Sequence, residues 1–334
     1  YCPFSGVSKH ICKFSDIYFH LSAWMRTFQN YIIILWLALK EKVSVCHFQW
    51  PMTRYDQFIF RILRIFGIRV VYTVHNLQPH ESESLEYANM DWGVLYREPD
   101  ALIVHTRFTR QGLIGEFKIE PEKIIVIPHG GYPFYFQNPL HSHWMQSPIP
   151  FLGKKIILFF GAIRFYKGVE VLLQAFPLVK ARVPDCKLVV AGAALTQSYA
   201  DHIRKMVVDD EEDIMLHLQK IPLLQMRAYF MAAAVVVLPY LKIDQSGVLL
   251  TAYTFGKPVV ASAIGGFNET VDDGKSGFLV VPDNVEALAY ALVNILSDDT
   301  KREQMGTYAK QMAETKFSWE EIATKTDKLY YSLC

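Results

Sequence analysis

The stretch Leu238–Val260, LPYLKIDQSGVLLTAYTFGKPVV, decides the fold. Ala232–Leu238 is a short, continuous apolar run rich in valine, the pattern of a strand buried on both faces. Ser246-Gly247 then opens a helix, Gly256 ends it, and Pro258 leads into the next apolar strand. Strand, loop, helix and strand in this order make one unit of a parallel α/β layer. The helix start offers unpaired backbone N–H groups and the positive end of a dipole, and Gly247 lets an anion approach closely. That chemistry suits a diphosphate. The same segment also fits an ordinary α/β core, and on its own it leaves both uses open.

The surrounding sequence repeats the alternation. Ile156–Gly161 is an apolar strand followed by GAIRFYKGVEVLLQAF, with Arg164 and Lys167 on the loop before a helix expected to run to Phe176. Two cations at the carboxyl end of a strand, beside a helix N-terminus, suit a pyrophosphate. KLVVAG (Lys187–Gly192), VVVLPY, PVVAS and GGFNETVDDGKSGFLVVPDN follow. Together these segments resemble the donor half of a glycosyltransferase of the GT-B fold and are most similar to the retaining glycosyltransferase family 4, over roughly Tyr72 to the C-terminus. The resemblance implies an α/β protein of two Rossmann-like domains whose parallel sheets face an interdomain cleft. An acceptor-side domain would span 1–150, a nucleotide-sugar domain 151–316, and a terminal helix 317–334 packing back on the first domain. The Pro-rich stretch Pro139–Pro150 is the expected boundary.

The implied activity moves a hexose from a nucleotide-diphosphate sugar to a hydroxyl of a glycan, a polysaccharide precursor or a glycolipid, with no cofactor and no metal. The family's diphosphate-binding roles fall on Arg164 and Lys167. The family also carries two glutamates eight positions apart, for the sugar and the ribose; here those positions hold Ile243 and Thr251, with Asp244 beside the former. A hydroxyl lacks the charge-assisted strength of a carboxylate. Weight therefore shifts to Gln245, Ser246, Gly247 and Val248 around the phosphate, with Thr251, Asp244 and Gln245 left for the ribose and sugar. His75, ending VVYTVHN (Val70–Asn76), takes the place of a histidine beside the donor sugar, where a neutral imidazole can donate a hydrogen bond to a sugar hydroxyl or its backbone carbonyl can stabilise developing oxocarbenium charge. Glu81 is the candidate general base for an inverting mechanism. Retention follows from the resemblance; inversion, as in β-mannosyltransferases, and sugar-nucleotide binding without turnover stay open because both glutamates are absent.

On the acceptor side, CHFQWP (Cys46–Pro51) supplies His47 and Trp50, which either meet an acceptor sugar or pack on the next helix. ALIVHTRFTRQGL (Ala101–Leu113) carries Thr106 and Arg107 at a turn, and Arg107 either faces an anionic acceptor or is solvated. SGVSKHI (Ser5–Ile11), with Gly6, is similar to the family's Gly-rich acceptor loop, which would set the first strand before Tyr1.

The 334 residues suit two α/β domains, and 51% hydrophobic residues supply real cores. A net charge of +1 argues against nucleic acid as partner. Cys2, Cys12, Cys46, Cys186 and Cys334 are scattered and read as the reduced thiols of a cytoplasmic protein. The run Tyr31–Leu39 is too short to span a bilayer. RYDQFIFRILRIFGIR (Arg54–Arg69) reads as a basic amphipathic helix in which only Asp56 opposes the arginines. It either packs on the core or also contacts an anionic membrane surface, where a lipid-linked acceptor would lie. DDEED (Asp209–Asp213) reads as a solvated loop rather than a metal site. No G-x-G-x-x-G follows a strand, which excludes a dinucleotide-dependent oxidoreductase.

Overall fold

The computed structural model describes residues 28–51, 55–77, 90–132, 149–151, 153–207 and 212–334. The first unit runs from helix α1 (28–40) through β1 (Val45–Phe48), α2 (Asp56–Ile65), β2 (Arg69–Val74), α3 (Trp92–Arg97), β3 (Ala101–Val104) and α4 (Arg107–Gly115) to β4 (Ile124–Val126). Its four strands are parallel in the order β1-β2-β3-β4. Side chains alternate across a strand, and here the alternation sorts two cores. Val70, Tyr72 and Val74 of β2, with Leu102 and Val104 of β3, join the cluster under α2 and α3. Val71, Ala101 and Ile103 face the other way. Covering both faces is what a parallel sheet requires.

The second unit continues with β5 (Lys155–Phe160), α5 (Val169–Lys180), β6 (Cys186–Ala191), α6 (Gln197–Lys205), β7 (Ile214–His217), α7 (Leu223–Ala232) and β8 (Ala233–Leu238). It is completed by α8 (Gly247–Thr254), β9 (Val259–Ser262), α9 (Phe267–Thr270), β10 (Gly277–Val280), α10 (Val285–Leu296), α11 (Asp299–Glu314) and α12 (Trp319–Leu333). The six strands are parallel in the order β10-β9-β8-β5-β6-β7. The chain therefore winds outward in one direction from β5 and in the other from β8. Ligands of open α/β sheets bind in the crevice that such a reversal opens. The fold is GT-B: two parallel-sheet α/β units.

Helix α12 returns to the first unit. Ile322 and Leu329 pack on the Val71, Ala101 and Ile103 face of the first sheet, and Trp319 donates its indole N–H to the Gly131 carbonyl at 2.7 Å.

Three sequence expectations change. Helix α5 does not stop at Phe176 but passes through Pro177 to Lys180. Proline gives up one helical hydrogen bond, but Phe176 and Val179 are fully buried and hold the last turn on the core. Asp213 is not a free loop charge: its carboxylate takes the ammonium groups of Lys180, at 2.8 Å, and Lys187. Asp56 does not oppose the arginines of α2, since it is buried and accepts from the Tyr31 hydroxyl. Glu98 and Asp100 do so instead, pairing with Arg61, Arg64 and Arg69.

Candidate active site

The loop after β5 brings Arg164 and Lys167 to the crevice where the strand order reverses. A 3-10 turn over Phe165–Lys167 ends at Gly168, whose left-handed backbone (φ +65°) starts α5. A Cβ on Gly168 would stand 2.0 Å from the Pro239 carbonyl oxygen, so glycine alone lets the β5 loop press against the loop after β8. This contact puts the Lys167 ammonium 5.0 Å from the Tyr240 ring centroid. A Cβ on Gly161 would lie 3.6 Å from that ammonium and 3.3 Å from Val248 Cγ2, so Lys167 and the start of α8 share one corner. Among the described residues no carboxylate lies within ion-pair reach of Lys167 or Arg164. Burial, and to a lesser degree Arg164, pull the Lys167 pKa below its usual value, while Tyr166 pulls it up. Arg164 spends one guanidinium nitrogen on the Ile163 and Ala193 carbonyls at 3.1 and 3.4 Å.

Ser246 caps α8, and its hydroxyl accepts from Leu249 N–H at 3.4 Å. Tyr132 lies over Gly247: a Cβ there would meet its hydroxyl at 2.7 Å. Neither position of the glutamate pair offers a carboxylate to this corner. Ile243 is buried in the core. Thr251 is buried, and its hydroxyl donates back to the Gly247 carbonyl at 2.8 Å, the local use a mid-helix threonine makes of its oxygen. Asp244 is also redirected from the sugar role expected of it: buried, it accepts the Leu77 N–H of the first unit at 2.7 Å.

Opposite this corner, histidines stand at or just beyond the carboxyl ends of successive strands of the first sheet. His75 follows β2, His105 follows β3 and His129 lies shortly after β4. His75 Nδ1 is 3.2 Å from His105 Nε2, and the His105 and His129 ring centroids are 5.2 Å apart. Trp50, 60% exposed, stacks on His75 with centroids 4.1 Å apart and planes at 11°. Burial lowers all three rings, His75 to about 4 and His105 to about 3, so they are neutral near pH 7. A narrow crevice of about 20 Å³ lies between the units, where His105, Thr106 and His129 meet Gln245, Ser246 and Thr270. Gln245 Oε1 is buried there without a hydrogen-bond partner among the described residues.

His47, expected at the acceptor, is committed to structure. Its Nδ1 is 2.6 Å from the Tyr330 hydroxyl and its Nε2 2.7 Å from Thr73 Oγ1, so it ties α12 to the first sheet. Arg107 begins α4, and its role there is a backbone one. Its N–H and that of Phe108 donate to the two oxygens of Glu269 at 2.8 and 2.6 Å, while Thr109 N–H goes to Thr106 Oγ1. One carboxylate of the second unit thus meets two free donors and the positive end of a helix in the first. Glu269→Ala should lower stability by about 1 kcal/mol, the scale of a lost helix cap, and raise the radius of gyration in small-angle scattering. Urea midpoint and scattering curve both equal to wild type would show that this clamp holds nothing. Glu81 and Gly6 lie outside the described residues.

His105, His129 and Glu269 were not singled out from the sequence, although the strand-end position that marked His75 also marks His105. Glu269 has no such signal, because its partners are backbone groups more than 160 positions away.

Comparison with known proteins gives the family and the fold. The sequence model for glycosyl transferases group 1 matches residues 143–312, and that for glycosyltransferase family 4 matches residues 10–130. The D-inositol 3-phosphate glycosyltransferase of Corynebacterium aurimucosum is 30% identical over 69% of this chain, which spans 56% of that protein's length. Its counterpart in Corynebacterium diphtheriae is 29% identical over 98% of this chain and 78% of its own. Among solved structures, HepE of Anabaena in complex with UDP superposes with a TM-score of 0.75 at 18% identity, covering 90% of this chain and 82% of that one. With two parallel-sheet units, paired cations at the strand-order reversal and a family model that matches half of its length, the chain belongs to the glycosyl transferases group 1 family.

Proposed function

We propose that this chain transfers a sugar, with retention, from a nucleoside-diphosphate sugar to a hydroxyl acceptor. One observation carries the reading: Lys167, without a carboxylate partner among the described residues, stands beside the capped start of α8 at the carboxyl edge of the second sheet, with the likewise unpaired Arg164 within electrostatic reach of it. Cations, free helix N–H groups and a close-packed glycine suit a diphosphate leaving group. In this proposal they take up its charge without a metal. HepE, which shares the fold, has been solved with UDP and with UDP-glucose, so uridine is the first base to test. A thermal-shift panel of UDP, GDP and ADP with their sugars should raise the melting temperature for one base. No shift for any of them would overturn the reading. Binding without turnover is the second reading, favoured by the loss of a carboxylate at both Ile243 and Thr251. A transfer assay with the stabilising donor separates the two, and the anomeric configuration of the product tests retention.

The acceptor is proposed to be lipid-linked, with the protein at the cytoplasmic face of an anionic membrane. Support comes from α1 and α2, where Phe28, Ile32, Phe58 and Ile62 are exposed around an apolar basin of about 590 Å³. Ile65, 81% exposed, and Phe66 continue that surface, and Arg61, Arg64 and Arg69 line a second basin of about 550 Å³ beside it. No helix among the described residues is long and apolar enough to cross a membrane, so contact would be interfacial. Arg64→Gln should weaken binding to vesicles of phosphatidylglycerol about fivefold, the effect of about 1 kcal/mol per basic group. Equal sedimentation of variant and wild type would remove the headgroup role of that arginine.

A further inference from the structure

His105 stands between a backbone carbonyl and His75. Its Nδ1 is 3.0 Å from the Ile127 carbonyl oxygen, and its Nε2 is 3.2 Å from Nδ1 of His75. A carbonyl oxygen only accepts, so Nδ1 of His105 carries a proton. Burial holds the ring at about 3, against the opposing pull of the Ile127 carbonyl, so near neutrality that is its one proton. Nε2 of His105 is then a bare lone pair facing Nδ1 of His75, and two lone pairs cannot make a hydrogen bond. The proton between the rings therefore sits on Nδ1 of His75, and Nε2 of His75 is left unprotonated.

That second nitrogen is buried and has no hydrogen-bond partner among the described residues. A buried polar atom without a partner is costly unless a ligand completes it. Trp50 covers one face of the ring and holds its plane. The Gln49 backbone draws the pKa of the ring up, against the larger effect of burial.

We propose that His105 is a positioning residue: anchored on the Ile127 carbonyl, it fixes His75 as the Nδ1–H tautomer, so that Nε2 accepts a hydrogen bond from a hydroxyl of a sugar substrate. The last clause rests on the glycosyl-transfer reading; the tautomer does not. A glutamine at 105 can reproduce both ends of the contact, its amide N–H donating to Ile127 and its oxygen accepting from His75, whereas phenylalanine can do neither.

The test is a long-range proton–nitrogen correlation spectrum of the full chain labelled with ¹⁵N-histidine near pH 7.5, with His75 assigned by the signals lost in His75→Gln. Wild type should show a protonated Nδ1 and an unprotonated Nε2 at His75. His105→Phe should move part of the population to the Nε2–H form and lower transfer about tenfold, 1.4 kcal/mol of barrier, with donor affinity unchanged. His105→Gln should restore both the tautomer and the rate. An Nε2–H tautomer in wild type overturns the proposal even if a variant fails to fold, and so does a His105→Phe spectrum like that of wild type. Absence of transfer with every donor would defeat the functional reading while leaving the tautomer to be read from the same spectra.

Discussion

His75→Ala should reduce sugar transfer by about 100-fold or more while leaving the affinity for the nucleoside diphosphate nearly unchanged. The two quantities separate because the groups proposed for them lie on different units: Lys167, Arg164 and the start of α8 belong to the second, and His75 ends a strand of the first. A contact that strengthens only as charge develops at the reacting carbon lowers kcat without moving the donor's dissociation constant. A positioned acid-base or electrostatic group contributes about 10²–10³. The ring's ionisation adds a second readout. Burial, with a smaller contribution from His129, lowers His75 to about 4, so it stays in its neutral form well below the ordinary value of 6.5. The acid limb attributable to this ring should then fall near pH 4 to 5 rather than near 6.5. Stability runs in the same sense: the unfolded chain binds the extra proton first, so the contribution of these rings is full above 6.5 and is lost as pH falls through the folded value. Equal rates for wild type and His75→Ala with the same donor and acceptor would reduce His75 to a strand cap.

The architecture was legible because it is written in local patterns. Ile156–Gly161 and Ala232–Leu238 are apolar runs that only a two-sided strand explains, and β5 and β8 occupy them within a residue. Ser246 as cap and Gly256 as terminator are likewise local chemistry: the Ser246 hydroxyl takes an N–H, and Gly256 has φ +62°. What stayed hidden depends on contacts between distant segments. Nothing around Asp244 says that its carboxylate will be taken by Leu77 N–H, or that Glu269 will cap α4 of the other unit. His47 was found at the right strand, but its partner Tyr330 lies 283 positions later. The arginines of α2 were read as opposed only by Asp56 because Glu98 and Asp100 come from the far side of β2. Thr251 is a different case. A resemblance carried its position, while the physics of a short polar side chain inside a helix carried its hydroxyl to the Gly247 carbonyl.

Lys167→Ala should weaken nucleoside-diphosphate binding by about 1.5–3 kcal/mol, the range for a hydrogen bond to a charged group, and should do so without destabilising the free protein. The second half of this expectation sets it apart from an ordinary core mutation. An ammonium drawn partly out of water without a carboxylate partner is a cost to the folded state, and the lowered pKa of Lys167 is that cost seen through its proton. The Tyr240 ring at 5.0 Å returns only part of it. Replacing the lysine by a neutral side chain removes the penalty along with the contact, so the melting temperature of the ligand-free variant should equal or exceed that of wild type. An anion in the crevice favours the charged lysine, so wild-type affinity should decline as pH rises through the lowered Lys167 value, and the variant should lose that decline. Titration calorimetry across alkaline pH, beside thermal unfolding without ligand, measures both effects. A variant that binds as wild type does would take the diphosphate away from Lys167. One that loses binding only because it has lost its fold would make the lysine a structural residue.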